Sequence, residues 1–500
     1  MKITAVLLCI FVTLTVWAQD FGFDDEGNTA SSSKISVKAG GEAGIDISPY
    51  VYDLAEGDFG EAFSVRDFFY GKVNFTISNA YVELYTAFNL NYASFNELFN
   101  DRSKLSDPSH TPLIIDEAFI RSFIGPVNIT FGMRKLAWGR ADSPGPLDVT
   151  NPIDYTDLRY ITDIKARKIA RPMIHVNWNT GDFSKLEGVY IINFAGHRFM
   201  QEGRWAPSQF ANMIDTVQRG FTASAVDRFG TMQNPMLMHG VSENLMSHFA
   251  GASLELPYTG SFDYFQAGIR YTTTIGSVDL GGQYFYGHLF RPAFTVAGID
   301  EFFNDLLLRN FLRNPNNPYY GNPGLISPVV KYNRYHQIGA DYAQVLFGLN
   351  IRAEFAVFIT NDRQGDDGSV QNPFIGWSLG FDRDILWGIN LNVQCNETIR
   401  LFNSNIGDNP ILDSEAGTNA SETRLSVQLS KKFLRDNLES KAIFIWDIEN
   451  SDCYIIPSLI WTKNNFSAEL SAGIFAGNEK GELGQYRKNS FIRLGAKYIF

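Results

Sequence analysis

The sequence predicts an all-β chain, a single transmembrane antiparallel β-barrel of about 18 strands with long loops at one rim and short turns at the other. Three observations predict it. From Lys34 to the terminal Phe500, apolar and polar residues alternate through segment after segment, the period of a strand with one face in lipid and the other in water. Tight turns and long connections also alternate between those segments, which sorts them to opposite ends of an antiparallel barrel. Beyond the first 20 residues, no run approaches the ~20 apolar residues of a membrane helix, so a membrane-resident chain must cross with strands. Composition agrees: 22 Tyr, 41 Phe, 8 Trp and 43 Gly in 500 residues give a mean hydropathy near neutral, as when lipid-facing and lumen-facing residues average out.

The chain opens MKITAVLLCIFVTLTVWAQD, one Lys followed by an apolar run from Ile3 to Trp17, with Val16-Trp17-Ala18 where a small-x-small cleavage site would stand. This reads as a secretory signal peptide, residues 1–18, cleaved after Ala18. Residues 19–33, acidic and then Ser-rich, read as a flexible periplasmic segment, and residues 34–500 as the barrel.

The first strand sets Ile35, Val37, Ala39, Ala43, Ile45 and Ile47 against Ser36, Lys38, Gly40, Glu42 and Asp46. Charges on the second face of so long a strand are costly in a sandwich core and suit a wet lumen. Strand pairs follow over 66–78 and 80–92, 115–124 and 127–137, 171–179 and 187–195, 262–273 and 277–288, 335–345 and 349–360, and 373–383 and 387–399. Their turns fall near Ser78-Asn79, at Gly125-Pro126, at Asn179-Thr180-Gly181-Asp182, at Ile275-Gly276 and at Phe347-Gly348. Strands over 423–432, 440–449, 452–462, 465–476 and 489–500 complete the set. With the first strand starting in the periplasm, every short turn lies on that side and the long connections lie outside. About 18 strands enclose an aqueous lumen rather than a core filled by side chains.

The connection from Trp138 to Ala170 carries segregated charge. Asp142, Asp148, Asp154, Asp157 and Asp163 are spread through it, Lys165, Arg167, Lys168 and Arg171 cluster at its end, and Arg134 and Arg140 stand at its start. Folded into the lumen, it would narrow the pore, with acidic and basic groups facing each other across the gap. The residues expected to form that constriction are Arg134, Arg140, Asp142, Asp148, Asp154, Asp157, Lys165, Arg167 and Arg171. A solvated outer cap with local salt bridges is the competing reading. A calcium site built from Asp148, Asn151, Asp154 and Asp157 is a weaker one, because the spacing is not that of an EF-hand loop. Amphipathic helices over 208–219 (Phe210, Met213, Ile214, Val217) and 301–313 (Phe302, Phe303, Leu306, Leu307, Phe311), with a Met-rich stretch at Met232, Met236, Met238 and Met246, keep a gated transporter of hydrophobic ligands open as an alternative.

In NSFIRLGAKYIF, the last twelve residues, Phe500, Tyr498, Ala496, Leu494 and Ile492 share one strand face. This resembles the terminal strand of bacterial outer-membrane barrels, whose final Phe is read by the barrel-assembly machinery. The stretch Phe131 to Arg140, with its Trp138-Gly139, followed by Asp148-Val149-Thr150-Asn151-Pro152-Ile153-Asp154-Tyr155, is similar to the Trp-Gly and Asn-Pro-x-Asp arrangement of a family of Gram-negative outer-membrane barrels grouped with porins and the alginate-export type. The hairpin within Phe265 to Pro292 resembles that family's mid-barrel hairpin. The resemblance implies a channel or export barrel without naming its solute.

A net charge of −12 argues against nucleic acid as a partner. Cys395 and Cys453, the cysteines beyond the leader, match no metal-ligand spacing and form no disulfide framework. Acyl-transfer catalysis needs a nucleophile beside a base. His175, with Asn177 and Asn179 on its strand face, is the best base candidate, yet no serine partner or Gly-x-Ser-x-Gly occurs. The expectation is therefore a porin-like channel rather than an enzyme, without cofactor or metal, in the cell outer membrane. It passes small hydrophilic or amphiphilic solutes and contacts outer-membrane lipid and the assembly machinery, with a homo-oligomer possible. A surface binding protein or adhesin is the remaining alternative.

Overall fold

A computed structural model describes residues 35–63, 69–91, 114–142, 144–200, 203–208, 257–297, 327–407 and 413–500. The expected signal peptide, the segment 19–33, the Met-rich stretch and the loop helices beyond Ser208 and over 301–313 lie outside the described residues.

Among the described residues, twenty strands run in chain order: β1 (Ser36–Ile47), β2 (Phe69–Ser78), β3 (Val82–Asn91), β4 (Ile115–Ile124), β5 (Val127–Arg134), β6 (Arg171–Gly181), β7 (Ser184–Ile191), β8 (Gln266–Ile275), β9 (Val278–His288), β10 (Ala293–Ala297), β11 (Ser327–Lys331), β12 (Arg334–Leu346), β13 (Leu349–Thr360), β14 (Phe374–Asp384), β15 (Asn390–Arg400), β16 (Ser421–Phe433), β17 (Leu438–Asp447), β18 (Asp452–Lys463), β19 (Phe466–Gly477) and β20 (Phe491–Ile499). Eighteen of them form one sheet, each pairing antiparallel with its neighbour, and β10 with β11 forms a separate hairpin in the connection between β9 and β12. Because β20 pairs with β1, the sheet closes and no edge remains.

Six register pairs from Glu42 with Ile499 to Ile47 with Leu494 close the seam, and Phe500 extends it by one more. The Phe500 amide donates to the Gly41 carbonyl and the Gly41 amide to the Phe500 carbonyl, each at 3.0 Å. A Cβ on Gly41 would run into the Lys72 carbonyl and the Phe500 ring, so the seam requires glycine there. Inward charges tie the same seam across strands: Lys497 to Glu42 at 2.8 Å, Lys72 to Glu42 at 3.8 Å and Arg493 to Asp46 at 2.5 Å.

Alternation sorts the two faces. Ile120, Phe131, Ile338, Phe355, Leu379, Leu470 and Leu494 stand exposed on the outside, while their strand neighbours, among them Gln283, Gln337, Asp341, Glu354 and Gln394, are buried on the inside. An apolar exterior around a polar interior is the inverse of a soluble domain and suits a wall set in hydrocarbon. The barrel strands, 8 residues in β5 and 13 in β12, bracket the ~9–11 that a tilted transmembrane strand requires.

Boundaries moved where local turns competed with pairing. β8 begins at Gln266 because Phe262–Tyr264 forms a 3₁₀ turn, and β15 begins at Asn390 because Leu386–Gly388 forms another. The β6–β7 turn sits at Asp182-Phe183, so β7 starts at Ser184.

Replacing Gly41 by Val should destabilise the barrel by about 1–3 kcal/mol, the usual penalty for overpacking. Gly188→Val, whose added Cβ meets nothing within 4 Å, is the control. Temperature-dependent mobility of the folded band on gels reads the difference, and equal behaviour of the two variants would contradict the seam assignment.

Candidate pore constriction

The segment between β5 and β6 enters and leaves the wall at one place, since Arg134 and Arg171 are direct partners in the β5–β6 register. A buried polar knot ties its two ends. Asn151 Nδ2 donates to the carbonyls of Arg134 and Ile169, each at 2.9 Å, and its Oδ1 accepts from the Leu136 amide at 2.7 Å. Thr150 Oγ1 donates to the Leu136 carbonyl at 2.9 Å, and Lys168 Nζ reaches that carbonyl at 2.8 Å and Asp148 at 2.6 Å. Around the knot, Leu136, Trp138, Leu147 and Val149 join the inward Met173, Val189, Ile191, Phe285, Tyr335, Ala356 and Phe358 in one apolar cluster. Trp138 meets Phe285 edge-on with centroids 6.1 Å apart.

Past the knot, the backbone of 139–142 and 144–147 lies against the carboxylate of Glu354 on β13. The amides of Arg140, Ala141 (2.7 Å) and Leu147 (3.3 Å) all donate to it. A Cβ on Gly139 (φ +95°) or on Gly145 would occupy the space of that carboxylate, so both glycines are required for the close approach. The Arg140 side chain reaches Asp341 on β12 at 2.5 Å and Asp279 on β9 at 3.2 Å, and Arg270 on β8 holds the other Asp341 oxygen at 2.5 Å. Asp142 accepts from Arg352 at 2.5 Å and from Asn392 at 2.6 Å. Gln337 and Gln283 donate to the carbonyls of Pro146 and Leu147 at 2.6 and 3.0 Å.

The same segment also reaches a second stretch of wall. Tyr160 donates to Asp46 on β1 at 3.0 Å while Arg493 of β20 lies over its ring at 4.6 Å, and Tyr454 of β18 donates to the Leu158 carbonyl at 3.4 Å. The segment is thus attached to β8–β15 on one side and to β18, β20 and β1 on the other. A strap over 194–200 lies against it. Arg198 exchanges backbone hydrogen bonds with Ile153 (3.0 Å) and Tyr155 (2.7 Å) and pairs with Asp154 at 3.1 Å, and Phe199 stacks on Tyr155 at 5.2 Å. Trp205 joins an apolar cluster with Tyr50, Leu158, Tyr454, Phe475 and Tyr486.

The nine residues expected at the constriction fall into two sets. Arg140 and Asp142 reach across to the wall, Lys165 is exposed, and Arg134 and Arg171 line the stem half-buried. Asp148 and Arg167 are struts inside the segment. Asp148 is paired with Lys168, its carboxyl raised by burial against the opposing pull of that lysine. Arg167 is buried, donates to the carbonyls of Asp154 and Ile161 at 3.0 Å, and lies over Tyr155 at 4.7 Å. Asp157 grips Arg159 beside it, and Asp154 holds Arg198. Asp142, Asp148, Asp154 and Asp157 thus each lie against a cation, Arg352, Lys168, Arg198 and Arg159 in turn, while Asp163 accepts from the Ala166 amide. Of the residues in the calcium reading, Asp148, Asp154 and Asp157 hold Lys168, Arg198 and Arg159, and Asn151 Oδ1 accepts from the Leu136 amide.

Sequence reasoning missed Glu354, Asp341, Asp279 and Arg352, all more than a hundred residues from the segment they hold, and Arg270, which holds Asp341. Their only signal was charge at inward positions of long alternating strands. His175, the base considered above, accepts from Arg134 at Nδ1 (2.7 Å), which leaves Nε2–H to face Glu187 at 3.2 Å.

No protein-family model matches the chain, and no curated protein matches it. Among solved structures, the chain is similar to the outer-membrane channel DcaP of Acinetobacter baumannii (10% identity, 95% of this chain and 100% of that one, TM-score 0.39). It is also similar to the outer-membrane protein OpdK of Pseudomonas aeruginosa (8%, 93% and 99%, 0.45) and to OmpF of Salmonella typhi in complex with daunomycin (8%, 94% and 98%, 0.38). At such identities and scores, these likenesses add nothing to the barrel that the strand register already shows.

Glu354→Ala leaves three amides of the 139–147 turn without their acceptor, at about 1–3 kcal/mol for each that stays buried. Limited trypsin digestion should then cut at Arg140 in a barrel that remains folded, and unchanged resistance would contradict the anchoring role. His197 provides a pH test. Its Nδ1 accepts from the Ile153 amide at 2.9 Å, and burial pushes its pKa down to about 3. Between pH ~6.5 and 3, the undocked strap takes up a proton that the docked one refuses, so docking weakens as pH falls. A falling protection factor at the Ile153 amide, taken relative to the intrinsic exchange rate at each pH, checks it across that window, and an unchanged protection factor would refute it.

Proposed function

We propose that the chain is an outer-membrane channel through which small hydrophilic or amphiphilic solutes diffuse, its lumen narrowed by the segment 138–170. The observation that carries this reading is the double attachment of that segment, through Glu354 and Arg140 to one stretch of wall and through Tyr160 to another. An insert anchored at both sides leaves a passage around itself, bounded by its own polar groups and the inward residues of the wall. Arg134, Arg140, Asp142, Lys165 and Arg171 line that passage, while Asp154 and Asp157 border it through their paired arginines. Asp148 and Arg167 keep the insert rigid. The apolar exterior supports residence in a bilayer, and the leader-like first 18 residues with the strand ending at Phe500 support export and assembly in the outer membrane. The Trp138-Gly139 and Asn151-Pro152 resemblance to barrels of the porin and alginate-export type supports the same reading.

Single-channel recording of the refolded mature chain in planar bilayers tests it. The parent should show a stable ohmic conductance, Glu354→Ala a larger and noisier one, and deletion of residues 141–165 a larger and quiet one. Absence of conductance in all three, from material shown to be folded, would remove the channel reading.

A further inference from the structure

The short turns joining β12 to β13 and β14 to β15 stand side by side, because Asn350 and Asp382 are direct partners in the β13–β14 register. Between them lies a cleft of about 320 Å³ lined by Gly348, Asn350, Asp382, Arg383, Asp384 and Asn390. That volume is at the low end for a small-molecule site. Its polar groups are set in pairs. Asn350 Nδ2 donates to Asp382 at 2.9 Å and Asn390 Nδ2 to Asp384 at 3.0 Å, and the Arg383 guanidinium carbon lies 4.0 Å from where a Cβ on Gly348 would stand. Arg352 holds Asp382 at 2.7 Å and shares itself with Asp142 at 2.5 Å. Three carboxylates against two guanidinium groups leave an excess of one negative charge, which disfavours an anion, while Arg383 in the cleft disfavours a bare cation.

From this cleft an uncharged track runs along β15. Asn390, Asn392, Gln394 and Asn396 take the inward positions, with Gln428 and Ser426 of β16 as register partners of Asn392 and Gln394. Amides and hydroxyls offer donors and acceptors together, as sugar hydroxyls do in return, whereas a metal ion or an ammonium group calls for acceptors alone. The rim adds aromatic surface. Phe347, next to Gly348, and Trp387, in the turn between Asp384 and Asn390, sit at left-handed backbone positions (φ +52° and +61°) where Asn or Gly is the ordinary choice. Their rings are nonetheless on display, 93% and 81% exposed. Strained positions of this kind cluster where a side chain has a task. Flat apolar faces beside paired Asp and Asn suit a pyranose, one face on a ring and its hydroxyls on the polar groups.

We propose that this cleft is a station for an uncharged, polyhydroxylated solute, a mono- or disaccharide, where the lumen opens at the short turns. The proposal rests on the channel reading and names its substrate class. Asp382 and Asp384 accept hydrogen bonds from the sugar hydroxyls, the Oδ1 atoms of Asn350 and Asn390 accept others, and the Trp387 ring covers an apolar sugar face. Along β15, the amides exchange one set of hydroxyl contacts for the next, so the solute reaches the cleft without losing its hydrogen bonds. An acidic sugar is repelled by the excess carboxylate.

Saturation-transfer NMR with lactose on the refolded mature chain tests the station, in a phosphocholine detergent so that no detergent sugar competes. Lactose should bind. Asp384→Asn should weaken it about tenfold and Trp387→Ala about three- to tenfold, while Phe183→Ala, an exposed ring on the β6–β7 turn, should leave it unchanged. Asn390→Ala is the further variant, read in the same way should one of these not fold. Lactobionate, the acid of the same disaccharide, should bind more weakly, and tetramethylammonium should not displace lactose. Equal lactose binding in the parent, Asp384→Asn and Trp387→Ala would overturn the proposal, as would displacement by tetramethylammonium. An equal loss in Phe183→Ala would make these rings bilayer anchors and would overturn it too. In planar bilayers, lactose added at the short-turn side should reduce the conductance. Binding of isolated cell-wall glycan, with no effect of lactose on conductance, would overturn the solute reading in favour of a wall contact. Conductance without lactose binding would remove the station and leave the channel, whereas lactose binding without conductance would keep the cleft as a saccharide site and remove the channel.

Discussion

The lumen is organised by one carboxylate. Glu354 lies on an inward position of β13, where a charge without a partner would be expensive, and the backbone amides of 139–147 enclose it. Its neighbours follow from that contact. Arg140 is carried to Asp341 and Asp279, Asp142 to Arg352, and Leu147 into the apolar cluster beside Gly339, whose missing side chain leaves room for it. Without Glu354, the turn would retain its glycines and lose the anion that its amides converge upon.

Much of the barrel was legible because its signal is local. Alternation with period two, turn residues at the short connections and the order of long and short links are properties of a few adjacent residues, and they place every barrel strand in its proper order. The errors were local as well: Phe262–Tyr264 and Leu386–Gly388 carry strand-like composition yet close into 3₁₀ turns, a choice made by tertiary context. The candidate site was legible only in part. The charge pattern of 138–170 drew attention to the segment, and two of the residues it picked out, Arg140 and Asp142, bond to residues of β9, β12 and β13. Its partners on β8, β9, β12 and β13 could not be read from it, because pairing across more than a hundred residues leaves no trace in periodicity. Asp148 and Arg167 were assigned by charge alone, and burial turned them into internal supports.

The two apolar clusters inside the barrel show how a polar lumen supports a rigid insert. One gathers at the stem, around Trp138 and Phe285, and the other at the far contact, around Tyr454 and Phe475, stacked at 4.0 Å. Between them, the segment's own ion pairs, such as Lys168 with Asp148, satisfy groups that hydrophobic packing cannot. The insert is therefore packed into the wall at both ends, supplying Leu136, Trp138, Leu147 and Val149 to one core and Leu158 to the other.

The register pairing of Arg134 with Arg171 has a topological consequence. Because the insert departs from and returns to neighbouring positions on adjacent strands, it is a closed loop whose ends are fixed by the wall and not by its own length. The entropy of such a closure grows only logarithmically, about 0.6 kcal/mol for each doubling. The bore of the barrel can thus change by lengthening, shortening or exchanging this one cassette, with every strand of the wall left in register and the lipid-facing surface untouched.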